Sequence, residues 1–125
     1  MSPTAWPTAG RPDGRDLARL RRREEERLYE NIRTVATLYH WTLYHTRDSR
    51  RAAPGWPDLV LCRPPRLLIR ELKANGAYPD RAQRAWLAAL AACGLDVGVW
   101  RPRDWAAIVA TLAGDSEQGP NICPG

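Results

Sequence analysis

The sequence predicts a single α/β domain in which a mixed β-sheet is flanked by helices. Apolar residues recur at helical spacing in three segments, and four short segments, most of them mainly apolar, read as strands. The resulting order, α-β-β-β-α-β-α, is typical of a mixed sheet covered by helices. A chain of 125 residues, 44% of them hydrophobic, is enough for one modest core.

The three helices are predicted from periodicity and from the absence of helix breakers. Residues 16–39 contain no proline or glycine and begin with strong helix formers. Apolar residues recur at helical spacing, which predicts a long amphipathic helix: Leu28, Ile32, Val35 and Leu38. Its first half, "RLRRREEERLYE", is dense in charge and is expected to be solvated. A second helix is predicted over residues 80–93, with Leu87 and Leu90 on one face, and a third over "RDWAAIVATLA".

The strands are predicted in four segments. They are "WTLYHT", "DLVLCR", "RLLIRELK" and "DVGVW", and a basic loop, "RDSRRAAPG", separates the first two. The folded domain is expected over residues 16–114. Residues 1–15, rich in Pro, Gly, Ser and Thr, are expected to form a disordered N-terminal tail, and residues 115–125 a C-terminal tail.

Charge and cysteine usage narrow the class of protein. The formal net charge of +5 fits a nucleic-acid partner, although basic proteins without one are common. The three cysteines form no C-x-x-C pair, which argues against a disulfide framework and against a zinc site. No apolar run approaches the length of a membrane span, and the first residues lack the layout of a signal peptide. A reduced, cytoplasmic setting without membrane association is therefore expected.

The segment "DLVLCRPPRLLIRELK" predicts a β-hairpin whose register follows from its centre. If the turn is centred between Pro64 and Pro65, Asp58 and Glu71 stand directly opposite each other, because each lies six residues from its proline. Opposed residues have Cβ atoms roughly 4.5–5.5 Å apart and share one face of the sheet. Lys73, two residues beyond Glu71, points to the same face.

The turn of this hairpin is predicted to be a four-residue loop from Arg63 to Arg66. The primed two-residue turns that suit hairpins need positive φ angles, which proline cannot adopt. The longer loop keeps the same register, so the opposition of Asp58 and Glu71 does not depend on the length of the turn.

Two carboxylates held this close repel each other, and the apolar strands around them predict a half-buried site. A divalent metal would offset the repulsion, because Mg²⁺ binds through one or two carboxylates together with waters and phosphate oxygens. Lys73 is the only lysine in a chain with 19 basic residues, and a guanidinium does not replace a compact ammonium at a tight site. Beside a metal-bound water, this lysine could orient the nucleophile or stabilise charge on phosphorus. The alternative is a solvated strand edge, which is the common role of a Glu-x-Lys tripeptide.

Three segments in order carry a resemblance to a known family: "GWPD", then "ELK" with its glutamate thirteen residues after the aspartate, then "AQRAWLAAL". With "YHTRDSRRAAPGWPDLVLCRP" and "VWRPRDW", they resemble the PD-(D/E)xK nuclease superfamily, and more narrowly its VRR-NUC group, the virus-type replication-repair nucleases. The resemblance covers roughly residues 25–112. It implies a restriction-endonuclease-like core.

The resemblance also implies roles for individual residues. Asp58 and Glu71 would be metal ligands, helped by the backbone carbonyl of Leu72, and Lys73 would be the catalytic lysine. Gln83, at the start of the second helix, matches a catalytic glutamine that these nucleases share with Holliday-junction resolvases. Helical spacing allows Gln83 to face the sheet, and its alternative is an ordinary surface glutamine.

The family carries a further metal-binding glutamate on its first helix, three residues before a core leucine. Glu25 stands three residues before Leu28 and is the preferred candidate, with Glu26 as the alternative. The chain departs from the family pattern at Tyr29, where glutamine is frequent. The remaining glutamates of this helix are expected to form a solvated charged face: Glu24, Glu26 and Glu30.

The basic loop before the second strand is a candidate for DNA binding. Its arginines would contact phosphates in a sequence-independent and salt-sensitive way: Arg47, Arg50 and Arg51. The alternative is a solvated loop. His45 could contact a phosphate or simply end its strand, and the second role is preferred. Trp56 could stack on a base, but it is expected to pack in the core, as are the other tryptophans considered: Trp41, Trp86, Trp100 and Trp105.

Together these features predict a Mg²⁺- or Mn²⁺-dependent endonuclease that hydrolyses phosphodiester bonds in DNA. The family resemblance implies one or two metal ions, a homodimer, and branched DNA such as Holliday junctions as the substrate, in DNA repair. The arginine-rich composition and small size suggest a phage or bacterial source, with the cytoplasm of the bacterium or infected host cell as the location. The alternatives are a flap or splayed-arm nuclease, a restriction-type endonuclease, and a DNA-binding module that does not cleave.

Overall fold

A computed structural model of the chain describes residues 13–46 and 51–114. The three helices are α1 (Gly14–Leu38), α2 (Arg81–Ala92) and α3 (Trp105–Ala113), and a single 3₁₀ turn, Pro102–Asp104, leads into α3. The four strands are β1 (Thr42–His45), β2 (Leu59–Arg63), β3 (Arg66–Leu72) and β4 (Asp96–Trp100). The predicted order of elements is confirmed, and the fourth strand coincides with the predicted "DVGVW". No described helix combines the length and the apolar character that crossing a membrane requires.

The strands form one mixed sheet in the order β1-β2-β3-β4. The first three strands are antiparallel neighbours, and β4 runs parallel to β3. A parallel neighbour needs a crossover connection, and α2 supplies it between β3 and β4. The mixed sheet flanked by helices is therefore confirmed.

Helix α1 begins earlier than the sequence predicted. Asp13 is its N-cap, and the Asp13 side chain accepts hydrogen bonds from the backbone amides of Arg15 and Asp16. The Asp16 side chain in turn accepts a hydrogen bond from the backbone amide of Asp13, which completes a capping box. Gly14 and Arg15 therefore belong to the helix and not to the predicted N-terminal tail. Residues 1–12 and 115–125 of the two predicted tails lie outside the described residues.

The β2–β3 hairpin has the predicted register and a tighter turn. Leu59 pairs with Arg70, and the last pair before the turn is Arg63 with Arg66. The turn consists of Pro64 and Pro65, joined by a cis peptide bond, so the predicted four-residue loop is wrong. A type VI turn, which contains a cis proline, connects the strands without the positive φ angles on which the four-residue prediction rested.

The core lies between the sheet and helices α1 and α3. Its fully buried side chains come from both helices and from β2 and β3: Ile32, Leu59, Leu61, Leu68, Ile108 and Leu112. Helix α2 contacts β4 but contributes nothing to this cluster, and its Leu87 and Leu90 are only partly buried. Of the tryptophans predicted to be core residues, Trp41 and Trp100 are buried, whereas Trp56, Trp86 and Trp105 are partly buried.

Candidate active site

The segment "GWPD" fixes the position of Asp58 by packing against the start of α2. Gly55 has a φ of +85°, and a Cβ there would lie 2.4 Å from the carbonyl carbon of Ala82. Only glycine fits a position that combines a positive φ with so close a backbone approach. Trp56 then meets Trp86 of α2 edge to face, with ring centroids 4.9 Å apart. Trp56 is therefore in contact with a helix, as the core-packing prediction implies.

Thr46, the residue after β1, holds the other side of the "GWPD" segment. The backbone amide of Thr46 donates to the carbonyl of Asp58 at 2.9 Å, and its hydroxyl donates to the carbonyl of Pro57 at 3.2 Å. Pro57 itself is fully buried. Asp58 thus stands where β2 is about to begin, with its backbone anchored to β1 and its loop anchored to α2.

Asp58 and Glu71 occupy opposite strands at the open end of the hairpin, as the register predicts. The Asp58 carboxylate accepts a hydrogen bond from the backbone amide of Leu72 at 2.9 Å, which holds the side chain across the strand ends. Burial raises the pKa of Asp58, while the Leu72 amide and the nearby His45 act in the opposite direction.

Glu71 is more deeply buried than the half-buried site predicted from the sequence. It is 2% exposed, and its buried Oε1 atom has no hydrogen-bond partner among the described residues. Burial, and then the charge of Asp58, raise the pKa of Glu71 to about 8. A hydrogen bond between the two carboxyl groups acts in the same sense, because it raises the pKa of Glu71 and lowers that of Asp58. A buried carboxylate oxygen without a donor is costly unless a proton or a cation satisfies it.

Lys73 lies just beyond the end of β3, on the side of the carboxylates. Its ammonium nitrogen is 3.7 Å from Oε2 of Glu71, and its side chain is 17% exposed. The backbone amide of Lys73 donates to the carbonyl of Trp100 at 3.0 Å, so β4 holds the main chain at this point. The only lysine of the chain thus stands beside the most buried carboxylate of the site.

Two glutamates of α1 hold the backbone that follows Lys73. Glu25 accepts a hydrogen bond from the amide of Ala74 at 3.0 Å, and Glu24 accepts one from the amide of Asn75 at 3.3 Å. Burial is the main cause of a raised pKa at Glu25, and Asp58 and Lys73 both act on it electrostatically. Glu25, the preferred candidate, is therefore next to the site.

The other glutamates of α1 divide into two groups. Glu24 contacts the loop after β3, so the predicted solvated role is wrong for this residue. The sequence alone could not reveal this contact, because Asn75 lies 51 positions after Glu24. Glu26 and Glu30 are exposed, as predicted, and Glu30 forms an ion pair with Arg33 at 3.0 Å.

A stacked pair, Tyr29 and His45, was not identified from the sequence as part of the site. The two rings are 3.9 Å apart between centroids and 18° from parallel. His45 ends β1, as predicted, and it also lies close enough to Asp58 to favour the charged form of that carboxyl. Both rings line a cleft of about 930 Å³ that also contains Glu25 and Asp58. The position of Tyr29, four residues after Glu25, was noted as a departure from the family pattern, but its partner was not foreseeable.

The remaining candidates lie at the margins of the site. Gln83 forms a capping box with Asp80: its side-chain oxygen accepts from the Asp80 amide at 2.8 Å, and its own amide donates back at 2.9 Å. The hydrogen bonds found for this side chain are therefore structural, and its catalytic role stays a prediction. Arg51 is exposed and lines a second cavity of about 520 Å³, which shares Tyr29 and His45 with the cleft. Arg47 and Arg50 lie outside the described residues.

The oxygen donors fit a hard divalent cation. Asp58 and Glu71 face each other, and Glu71 keeps a buried oxygen without a donor. Within residues 13–46 and 51–114, no three acidic, histidine or cysteine side chains are close enough together to hold a metal ion alone. Mg²⁺ does not require such a cage, because it retains several waters and is commonly held by one or two carboxylates and substrate phosphates.

Comparisons with models of protein families, with curated proteins and with solved structures give no significant match to this chain.

Proposed function

We propose that the protein is a metal-dependent nuclease of the PD-(D/E)xK superfamily, of the VRR-NUC type, that hydrolyses phosphodiester bonds in DNA. The observation that carries the proposal is the open end of the β2–β3 hairpin. There, Asp58 faces a buried Glu71 whose Oε1 has no donor, and the ammonium of Lys73 is 3.7 Å from the other oxygen. The sequence resemblance supports the same assignment of residues.

Asp58 and Glu71 would hold the cation, helped by the backbone carbonyl of Leu72. Glu25, the further ligand that the resemblance implies, forms no three-carboxylate group with them among the described residues, and its carboxylate accepts from the Ala74 amide. The bound Mg²⁺ or Mn²⁺ would activate water and neutralise negative charge on the phosphate. Raised pKa values at Asp58 and Glu71 agree with this assignment, because a site built for a cation is electrostatically unfavourable for two carboxylates alone.

Lys73 would act directly on the reacting groups. Its ammonium can donate a hydrogen bond to the attacking water or to a non-bridging phosphate oxygen, where negative charge grows in the transition state. The water oxygen bonds to phosphorus, the bond from phosphorus to the leaving oxygen breaks, and the leaving oxygen takes up a proton. The Ala74 and Asn75 amides, held by Glu25 and Glu24, keep the segment that carries the lysine in place.

The substrate is proposed to be branched DNA, and the active form a homodimer. The described domain is small and offers few elements for reading base sequence in a groove, whereas its arginines suit phosphate contacts. A two-fold dimer would present one active site to each of two like strands of a four-way junction, which gives paired, symmetric cuts. A monomer would instead nick a flap or splayed arm on one strand.

The test is cleavage of a labelled DNA panel by the full chain, in Mg²⁺, Mn²⁺ or EDTA. The panel contains a four-way junction, a flap, a splayed arm, a linear duplex and a single strand. Metal-dependent cleavage of branched substrates, abolished by EDTA and by Glu71→Gln, is expected. Cleavage of linear duplex at one fixed sequence, with branched DNA no better, would favour a restriction-type enzyme. Binding of DNA without cleavage in any metal would favour the DNA-binding module.

A further inference from the structure

The N-terminal part of α1 extends beyond the body of the domain. Every residue from Asp13 to Leu20 is exposed, and the first buried residue of the helix is Leu28. Even the two apolar residues of this part are open to solvent, Leu17 at 43% and Leu20 at 52%. We call residues 14–23 the α1 arm. Such a length of helix is not stabilised by packing in the described chain, so its residues are available for a partner.

The arm carries arginines that have no partner among residues 13–46 and 51–114. Arg15, Arg19 and Arg22 recur at spacings of four and three, which places them on one face of the helix. Within the described part of the chain, no hydrogen bond or ion pair engages the guanidinium of any of the three. Arg22 does not pair with Glu26, which follows it by four residues in the less favourable order, with the base before the acid.

The rest of the same helix treats arginine differently. Arg33 donates to Glu30 through two nitrogens, at 3.2 and 3.0 Å, on an equally exposed surface. Two arginines of the β2–β3 hairpin also have partners. Arg63 donates to a backbone carbonyl, and Arg70 donates to the carboxylate of Asp96. The arm is therefore a segment where several positive charges are left available together.

This free charge is continuous with the candidate active site. Arg22, Arg23 and Arg27 line the same cleft as Glu25 and Asp58. The cleft thus combines carboxylates, including Glu26 and Glu30 of α1, with guanidinium groups of α1 that continue toward the arm. A polyanion with one phosphate near Asp58 would have its neighbouring phosphates beside the arginines.

We propose that the α1 arm binds the DNA backbone to one side of the cut, through phosphate contacts of Arg15, Arg19 and Arg22. The inference rests on the proposed function for its ligand and deepens it by adding a binding surface. An α-helix rises 1.5 Å per residue, so Arg15 lies about 15 Å along the axis from Glu25. This distance corresponds to about four base pairs of duplex at 3.4 Å per pair.

The first measurement is the salt dependence of binding to a labelled duplex-armed junction in EDTA, where metal-dependent cleavage cannot interfere. Each phosphate contact contributes about 0.9 to the slope of log K against log salt, which is about a tenfold gain in affinity at 0.1 M salt. Arg19→Gln should therefore make the negative slope less steep by about one and weaken binding about tenfold. For the double variant Arg15→Gln/Arg19→Gln, the change in slope should be about twice as large.

Arg33→Gln is the matched control. It removes the same charge from an exposed position of the same helix, but from a residue that is already paired with Glu30 and is not among the residues that line the cleft. It should leave both the slope and the affinity unchanged. Equal losses in Arg19→Gln and Arg33→Gln would show a general effect of net charge and would overturn the proposal.

The second measurement varies the length of the DNA. Shortening one duplex arm to fewer than about four base pairs from the mapped cut should weaken binding by wild type and have little effect on Arg15→Gln/Arg19→Gln. If both proteins lose affinity equally, the arm does not contact DNA there and the proposal fails. Light scattering of Leu17→Gln tests the alternative partner of the arm, which is a second copy of the chain. A loss of self-association, with the salt slope of the arginine variants unchanged, would mean that the arm binds a second copy of the chain.

Failure of this inference is distinguishable from failure of the proposed function. If the salt slope of DNA binding depends on the arm arginines as predicted but wild type cleaves nothing with either metal, the nuclease assignment falls and the arm stands. If wild type cleaves and the arm variants bind like wild type, the arm falls and the nuclease assignment stands.

Discussion

The two ends of the β2–β3 hairpin each bring two like charges together, and the protein treats them in opposite ways. At the turn end, Arg63 stands directly opposite Arg66. At the open end, the same register places Asp58 opposite Glu71. Like charges in opposed positions destabilise a sheet, so each end needs compensation from elsewhere in the chain.

The turn end is compensated by the protein's own groups. Both guanidinium groups lie over the ring of Trp41, at 4.7 and 5.0 Å from its centroid. They also donate to backbone carbonyls at the C-terminus of α3, including those of Leu112, Thr111 and Gly114. A helix C-terminus carries free carbonyls and a partial negative charge, so it suits a pair of cations.

The open end is left incomplete. Glu71 has a buried Oε1 without a donor among the described residues, and the ammonium of Lys73 is 3.7 Å from its other oxygen. The difference between the two ends teaches how a structural charge pair can be told from a candidate ligand site. At the turn end each charge has partners within the fold, whereas the carboxylate pair keeps an electrostatic cost that a ligand can relieve.

The largest expected effect is on stability, from removing the aromatic ring at the turn end. Trp41 is 6% exposed, and its indole nitrogen donates to the carbonyl of Leu112 at 2.9 Å. Trp41→Ala should lower the free energy of unfolding by about 3–5 kcal/mol, as measured by urea denaturation. Trp41→Phe keeps a ring beneath the guanidinium groups and should cost less. Equal losses in the two variants would show that the ring does not compensate the arginines.

The next effect is on activity, at the open end. Lys73→Ala should lower the cleavage rate by about 10²–10³-fold, because it removes a charge that stabilises the transition state. Lys73→Arg should also be severely impaired, because a planar guanidinium does not reproduce the position of a compact ammonium. Both variants should melt within a few degrees of wild type and bind DNA in EDTA with nearly wild-type affinity. A Lys73→Arg variant that cleaves at the wild-type rate would contradict the assignment.

The sequence was sufficient to predict the carboxylate pair at the open end of the hairpin, but not the turn or the partners of the arginines at the other end. The opposition of Asp58 and Glu71 follows from the position of two prolines and from the period of a strand, which are local properties. The predicted turn length was wrong, because the argument considered turns with positive φ angles and left out a cis proline turn. The partners of Arg63 lie fifty positions away in α3, and spacing in the sequence carries no information about them.

The same limit explains which site residues were missed. Glu25 could be chosen as a candidate because the family pattern places a glutamate three residues before a core leucine, and the spacing from Glu25 to Leu28 is a local property. The stacking of Tyr29 on His45 joins α1 to the end of β1, and the contact of Glu24 with Asn75 joins α1 to the loop after β3. These contacts depend on how α1 crosses the sheet, which neither composition nor periodicity determines. Gln83 is the opposite case. Its position three residues after Asp80 makes it a capping residue of α2, so its local sequence context is explained without a role in the site.

A smaller effect on stability should follow from disturbing the loop that carries Asp58. Gly55→Ala adds a Cβ in contact with the backbone of Ala82, whereas Gly94 has a similar φ of +86° with nothing within 4 Å of the added atom. Both substitutions incur the cost of a positive φ, about 1–2 kcal/mol. Gly55→Ala should cost a further 1–3 kcal/mol, roughly, for the overlap. Urea denaturation gives the difference, and equal losses would show that the loop can move away from α2.

The smallest effect is expected from relieving the carboxylate repulsion itself. Asp58→Asn keeps a side-chain oxygen for the Leu72 amide and removes one of the two charges. In EDTA it should raise the free energy of unfolding by about 0.2–1 kcal/mol, although it abolishes cleavage. The gain should be larger at pH 9 than at pH 6. The pKa of Glu71 is raised to about 8 in the folded protein, so this carboxyl stabilises the fold at low pH, and that stability is lost as the pH rises through about 8.

Metal should reverse the order of stability of the two proteins. A cation that binds only the folded site stabilises it by RT ln(1 + [L]/Kd), which is about 2.7 kcal/mol when Mg²⁺ is at 100 times its Kd. Wild type should therefore gain stability from Mg²⁺ and Asp58→Asn should gain little, which melting curves with and without metal will show. The matched control is Arg33→Gln, which should respond to Mg²⁺ as wild type does, because Arg33 does not line the cleft and leaves Asp58 and Glu71 in place. If Mg²⁺ stabilises Asp58→Asn as much as wild type, the cation binds elsewhere, and the incomplete end of the hairpin is not its site.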